Sequence, residues 1–332
     1  MRKALVMSLV LAVLPCLVAL PAVADQPGAV RFATLPKPGP GHPEGIAADA
    51  NGNIYVATFE FSTPNKIYIF GPNGRLRDTI SLATGVIPLG MAFDAAGNLC
   101  VADFGNGDIL RFTPPFSASS TPAATFDVCG GAGAGCGLNA IAFDASGDLY
   151  VSDSFGGNIL KIDFPAGTVS TFFSDELLKP APAPHSFPPF GANGVAFNAA
   201  GTALFIANTA DDRILRLNLP AKTLDRFAES VNGADGILFD PLGRLWVAAN
   251  QADEVVALNG NGRVVDRRGS FEGIGSDGAP RGLLFPASIV LVGGDIFVTN
   301  LALALTPATG DEPEEDVTTF TVSRIPSVLS SP

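Results

Sequence analysis

The chain is poor in the side chains on which many enzymes draw. It has two histidines and four cysteines in 332 residues, and only 16 % of its residues are charged. Two histidines leave little for a Ser-His-Asp triad, and no Gly-x-Ser-x-Gly elbow is present to carry one. No CxxC pair or zinc-finger spacing occurs. Lys and Arg number 20 against 32 Asp and Glu, a formal charge of −12. That balance argues against nucleic acid or an anionic membrane as partner. Beyond the N-terminus no segment approaches the ~20 apolar residues of a membrane span. The run GGAGAG after Cys129 is followed by neither Lys-Ser/Thr nor a helical pattern, so it is no phosphate loop.

What the chain has in abundance is glycine and proline, 37 and 27 residues, which suits a β-protein with many tight turns. The first residues follow export logic. Arg2 and Lys3 precede an apolar stretch from Ala4 to Leu20, and Ala22-Val23-Ala24 offers a small-x-small cleavage site before Asp25. Residues 1–24 therefore read as a signal peptide and 25–332 as a single domain, exported to the periplasm or the extracellular space. Removing Arg2 and Lys3 takes the formal charge to −14. In an oxidising compartment Cys129 and Cys136 can close a small disulfide loop, whereas Cys100 lies in an apolar strand pattern as a buried thiol.

One phrase recurs along the chain. It reads EGIAADANGNIYVA from Glu44, LGMAFDAAGNLCVAD from Leu89, NAIAFDASGDLYVSD from Asn139, NGVAFNAAGTALFIAN from Asn193 and DGILFDPLGRLWVAAN from Asp235, with a degenerate ASIVLVGGDIFVTN from Ala287. Each copy is a short apolar strand, a glycine turn and a second apolar strand. Further strand patterns follow in most copies, giving about four strands per unit. The spacing of roughly 42 to 54 residues is that of propeller blades. The expected fold is all-β, a six-bladed β-propeller. Val30 to Leu35 and Val317 to Ile325 are expected to pair and complete the sixth blade, hiding the edges that an open ring would expose. Ala308 to Asp316 reads as a solvated acidic loop.

The first residues of the six phrases are Glu44, Leu89, Asn139, Asn193, Asp235 and Ala287. Equivalent starts of innermost strands form a ring around a propeller's axis. Two carboxylates and two amide oxygens meeting there suit a hard divalent cation, and an ion offsets the cost of burying them.

On these residues the chain resembles the family of senescence marker protein (regucalcin), gluconolactonase and luciferin-regenerating enzyme. That family is a six-bladed propeller holding one divalent ion with a Glu, two Asn and an Asp from blades one, three, four and five. Glu44, Asn139, Asn193 and Asp235 fall in the same blades, and Glu44-Gly45, Asn193-Gly194 and Asp235-Gly236 match the family's pattern closely. The resemblance implies a metal-dependent hydrolase of lactones or related esters. Its ion would polarise the carbonyl, and Asp235 would be both ligand and the group that orients or deprotonates water. Calcium is the first candidate ion, with magnesium, manganese and zinc as alternatives. Where the family often carries an Arg and an acid around its third-blade Asn, this chain has Gly137 and Ala140. That departure points away from a sugar-acid lactone and toward a different or more apolar one.

His42 lies just ahead of Glu44, and His185, Phe187 and Phe190 lie in a proline-rich stretch ahead of Asn193. These four are candidates for substrate contact or support at the channel mouth. Two other readings compete with the hydrolase. A binding propeller of NHL-like repeats would need no channel ion, and a strictosidine-synthase-like propeller would need a channel Glu as base outside the ligand set. A monomer acting on a small molecule is expected.

Overall fold

The computed structural model describes residues 28–131, 135–164, 166–182, 189–304, 310 and 312–329. Its strands form six antiparallel four-stranded sheets around one axis. Blade one runs Pro43–Ala48, Ile54–Thr58, Lys66–Phe70 and Leu76–Ser81. Blade two runs Pro88–Phe93, Leu99–Asp103, Asp108–Phe112 and Ala124–Asp127. Blade three is Leu138–Phe143, Leu149–Asp153, Asn158–Asp163 and Thr168–Ser174, and blade four Ala192–Phe197, Ala203–Asn208, Arg213–Asn218 and Thr223–Glu229. Blade five is Ala234–Phe239, Leu245–Ala249, Glu254–Leu258 and Val264–Arg268. Blade six takes Pro286–Val292, Asp295–Asn300 and Thr321–Ile325 from the end of the chain and Val30–Thr34 from its beginning. The expected six-bladed propeller, closed by its terminal strands, is therefore the observed architecture.

The turns explain why these residues form blades. Between the first two strands of blade two, Asp94 Oδ1 accepts the amides of Ala96 and Asn98, both at 2.9 Å, while Gly97 takes a φ of 80°. Blade three repeats the device with Asp144 and Gly147, whose φ is 87°. A carboxylate that bonds its own following backbone, then a residue tolerant of positive φ, reverses the chain at little cost.

Burial follows from the stacking of blades. The second strands of blades one to five are buried along their whole length, because both faces are covered by neighbouring blades. The core is accordingly divided among the interfaces. Tyr55, Met91 and Val101 lie between blades one and two, Cys100, Leu138 and Val151 between two and three, and Trp246, Val298 and Ile325 between five and six. No blade encloses a core of its own, so the ring folds as a unit.

Closure is by backbone ladder. Val30 pairs with Arg324 and Thr34 with Thr321, and the Leu35 amide continues the ladder to Phe320 O at 3.0 Å. The last strand is shorter than its sequence suggests, beginning at Thr321 rather than Val317. The amides of Thr318 and Thr319 are both bonded to Gly278 O at 2.9 Å and so are not available to blade six. Gly278 sits between Phe271–Ile274 and Pro280–Gly282, a small hairpin between blades five and six that the repeat does not foretell. Within the acidic segment, Pro313–Asp316 forms a single 3-10 turn, while 305–309 and 311 fall outside the described residues.

The six innermost strands pack side by side around the axis, and their close approach depends on glycine. A Cβ at Gly45 would strike Leu89 O, and one at Gly194 would strike Asp235 O of the next blade. Gly90 and Gly236 face Asn139 O and Ala287 O in the same way. Where this position is not glycine, the amides of Ala140 and Ser288 are instead bonded by Ser152 Oγ and Thr299 Oγ1, each at 2.9 Å. Gly194→Ala is therefore expected to cost about 1–3 kcal/mol of stability by overpacking. Chemical denaturation measures it, and an unchanged midpoint would show that the strands can part.

Candidate metal centre

Each innermost strand breaks register with its second strand at one place. The irregularity lies between Pro43 and Ile46, Leu138 and Ile141, Ala192 and Val195, and Ala234 and Ile237, with its counterparts in blades two and six. Each spans a ring residue and the one after it. A local break of this kind re-aims a side chain that a regular pleat would leave facing a neighbouring blade.

The ring residues meet at a cavity on the axis. Glu44, Asn139, Asn193 and Asp235 all line it, together with Thr209 and Asn250. The four ring residues are between 4 % and 6 % exposed. Leu89 also lines the cavity, whereas Ala287 is buried beside it in the same apolar cluster as Leu89, Phe285 and Leu301. The cavity volume is about 40 Å³, which accommodates an ion and a few water molecules.

The hydrogen bonds of the ring have a consistent sense. Asn139 Nδ2 donates to Ser154 Oγ at 3.3 Å, and Ser154 Oγ donates to Ala192 O at 2.6 Å. Asn193 Nδ2 donates to Thr209 Oγ1 at 2.9 Å, and Thr209 Oγ1 donates to Ala234 O at 2.7 Å. Each hydroxyl fixes an amide of its own blade and the carbonyl just ahead of the next blade's ring residue. With Nδ2 engaged, Oδ1 is the amide atom left for a cation. In blade five the chemistry inverts. Asn250 Nδ2 donates to Asp235 Oδ2 at 3.2 Å, while Asp235 Oδ1 is buried with no hydrogen-bond partner in the protein. Glu44 Oε2 is likewise buried and unpartnered.

Ser154, Thr209 and Asn250 were not singled out by the repeat, although they occupy one position, directly after the second strand. Phe59, Phe104 and Leu301 stand there in blades one, two and six. The signal was a second column of the repeat, polar only in blades three, four and five.

Burial disfavours charge on both carboxyls. It pushes Glu44 well above the usual carboxylate range, and the nearby Asp235 charge pushes the same way. Burial raises Asp235 to about 7, against the opposing hydrogen bonds of Asn250 and Asn193. Two buried carboxylates that resist ionisation in each other's presence are a natural seat for a positive ion. Among the described residues no group of three His, Cys, Asp or Glu comes together to hold a metal. A cation here would need the amide oxygens of Asn139 and Asn193 alongside Glu44 and Asp235, an all-oxygen set suited to a hard ion.

The other candidates divide. Phe190 lines the cavity. His42 does not. Its Nδ1 lies 3.0 Å from Leu301 O and its ring packs on Phe320 at 4.4 Å, a partly buried support beside the channel mouth. His185 and Phe187 lie outside the described residues. Cys129 and Cys136 form a disulfide with Cα atoms 5.8 Å apart. Cys100 is a buried free thiol raised to about 12, chiefly by burial.

No protein-family model matches the chain, and no curated protein matches it in sequence. Solved structures match it in fold. A luciferin-regenerating enzyme is 15 % identical, with a TM-score of 0.65 over 86 % of this chain and 92 % of its own. A calcium-binding regucalcin from Agrobacterium tumefaciens is 17 % identical, with a TM-score of 0.64 over 90 % and 93 %. A gluconolactonase from Xanthomonas campestris is 15 % identical, with a TM-score of 0.62 over 91 % and 95 %. These are the structures of the family that the ring residues resemble, and the likeness is one of fold. A streptogramin B lyase shares the same fold at 13 % identity and a TM-score of 0.57, over 89 % of this chain and 96 % of its own. The architecture therefore does not choose the chemistry.

The carboxyl shifts set a pH dependence for the metal-free protein. Asp235 holds its proton more tightly folded than unfolded, so the folded state binds more protons between its ordinary value of 3.8 and about 7. Stability should fall as pH rises through that window. A divalent cation should reverse the fall, raising Tm more at pH 8 than at pH 5. Equal shifts at both values would mean that the ion does not meet these carboxylates.

Proposed function

We propose that the protein is a hydrolase of lactones or related esters that depends on one divalent ion held by Glu44, Asn139, Asn193 and Asp235, with calcium the first candidate. One observation carries this reading. Two buried carboxylate oxygens without partners share an axial cavity with two amides whose nitrogens are bonded to the hydroxyls of Ser154 and Thr209. The fold-level likeness to a gluconolactonase and a calcium-binding regucalcin supports it. The signal-like segment 1–24 would place the enzyme outside the cytoplasm.

The bound ion would act as a Lewis acid on the substrate carbonyl. The remaining steps belong to the chain. Asp235 orients a water molecule through Oδ1 and takes its proton as the oxygen attacks the carbonyl carbon. Asn250 keeps Oδ2 occupied, so Oδ1 is the oxygen presented. The proton then passes to the departing ring oxygen, giving the open hydroxy acid. Asn139 and Asn193 add oxygen donors without charge, and Glu44 supplies the second negative charge that balances a divalent ion.

Asp235→Asn keeps the shape and removes the base. It should lower turnover by roughly 10²–10⁴-fold while the far-ultraviolet spectrum is unchanged; hydrolysis at the wild-type rate would refute the mechanism. Thr209→Val removes the hydroxyl that orients Asn193. It should weaken ion binding, measured by calorimetry, by roughly 10–100-fold, and Thr209→Ser should restore it.

A further inference from the structure

The cavity is chemically two-sided. Its polar groups come from blades one, three, four and five, whereas Phe59, Leu89, Phe285, Leu301 and Leu303 form the opposite wall from the blade one, two and six side, with Phe190 beside them. Among the described residues no Lys, Arg or His lines it. The polar side has little to offer a hydroxyl-rich ligand. Thr209 is engaged twice, to Asn193 and to Ala234 O, and Asn250 gives its Nδ2 to Asp235 while its Oδ1, which has no hydrogen-bond partner, lies against Gly233. The oxygens left over on Glu44 and Asp235 are acceptors that the ion and the attacking water would use.

The apolar wall is held in place. Phe285, at a φ of 44°, has its amide bonded to Asp253 Oδ1 at 2.8 Å and its carbonyl accepting the Leu301 amide at 3.1 Å. It also continues outward. Phe190 stacks on Phe155 at 5.7 Å and meets Phe104 at 6.2 Å, while Phe59 meets Phe61 at 4.9 Å. Phe61 and Phe155 are 73 % and 39 % exposed. Aromatic rings left in water at the mouth of a small cavity are a surface for an apolar ligand.

We infer that the substrate is a neutral lactone or ester carrying an alkyl or aryl arm, which lies on this wall while its carbonyl enters the polar side. The inference rests on the hydrolase reading and narrows it. With the charge of the ion balanced by Glu44 and Asp235, an anionic substrate finds no cationic side chain among the described lining residues to pair with its own charge. Polyhydroxylated lactones meet carbon where their hydroxyls need partners.

The calcium-loaded protein should be assayed with γ-lactones whose alkyl arm grows from methyl to octyl, and with D-glucono-δ-lactone. Binding of the matching alkyl γ-lactams, which resist hydrolysis, should be measured by calorimetry. Turnover efficiency and lactam affinity are expected to rise roughly four-fold per methylene until the wall is covered, and Leu303→Ser should flatten both slopes. A flat response to arm length, or preference for the gluconolactone, would overturn this assignment and leave the hydrolase reading standing. Lactam affinity that climbs with arm length without turnover of any lactone would support the wall and overturn the hydrolase. No lactam binding and no turnover would overturn both.

Discussion

The structure depends on a problem at its axis. Glu44 and Asp235 are 6 % and 5 % exposed and share one small cavity, where neither can ionise freely beside the other. Isolated buried charge is among the most costly things a fold can contain. A chain that needed only a packed channel could have placed leucine or alanine at these positions, as it does with Leu89 and Ala287. Keeping two carboxylates there makes sense when something of opposite charge joins them.

The surrounding structure serves that arrangement. Glycines after Glu44, Leu89, Asn193 and Asp235 let the innermost strands approach until the ring is tight. The register breaks turn the ring residues to the axis. Ser154 and Thr209 then settle which end of each amide faces inward, and through Ala192 O and Ala234 O they tie blade three to four and four to five. Orientation and closure are thus one set of bonds, so a defect in the ring should be felt at the blade interfaces.

Much of this was legible in the chain because a propeller writes its site in a column. The ring residues stand at the same place in each phrase, and the blades of Glu44, Asn139, Asn193 and Asp235 follow from counting. The pairing of Val30–Thr34 with the last strand was legible because sheet edges must be hidden. Less was visible where identity varies along a column. Ser154, Thr209 and Asn250 share a position but not a side chain, and the same column holds Phe59, Phe104 and Leu301, which became part of the mouth. The hairpin around Gly278 was missed because its strands have only four and three residues. The sequence overextended the last strand because Val317 and Thr318 favour β-structure, and no local pattern shows that Gly278 O claims the amides of Thr318 and Thr319.

The most direct test of the axial site is a crystal of the protein grown with manganese, whose anomalous scattering locates the ion independently of the protein. The account predicts one strong peak on the propeller axis, with oxygens of Glu44, Asn139, Asn193 and Asp235 as its protein ligands at about 2.0–2.6 Å. An axis without a peak, or a peak held by other side chains, would contradict it.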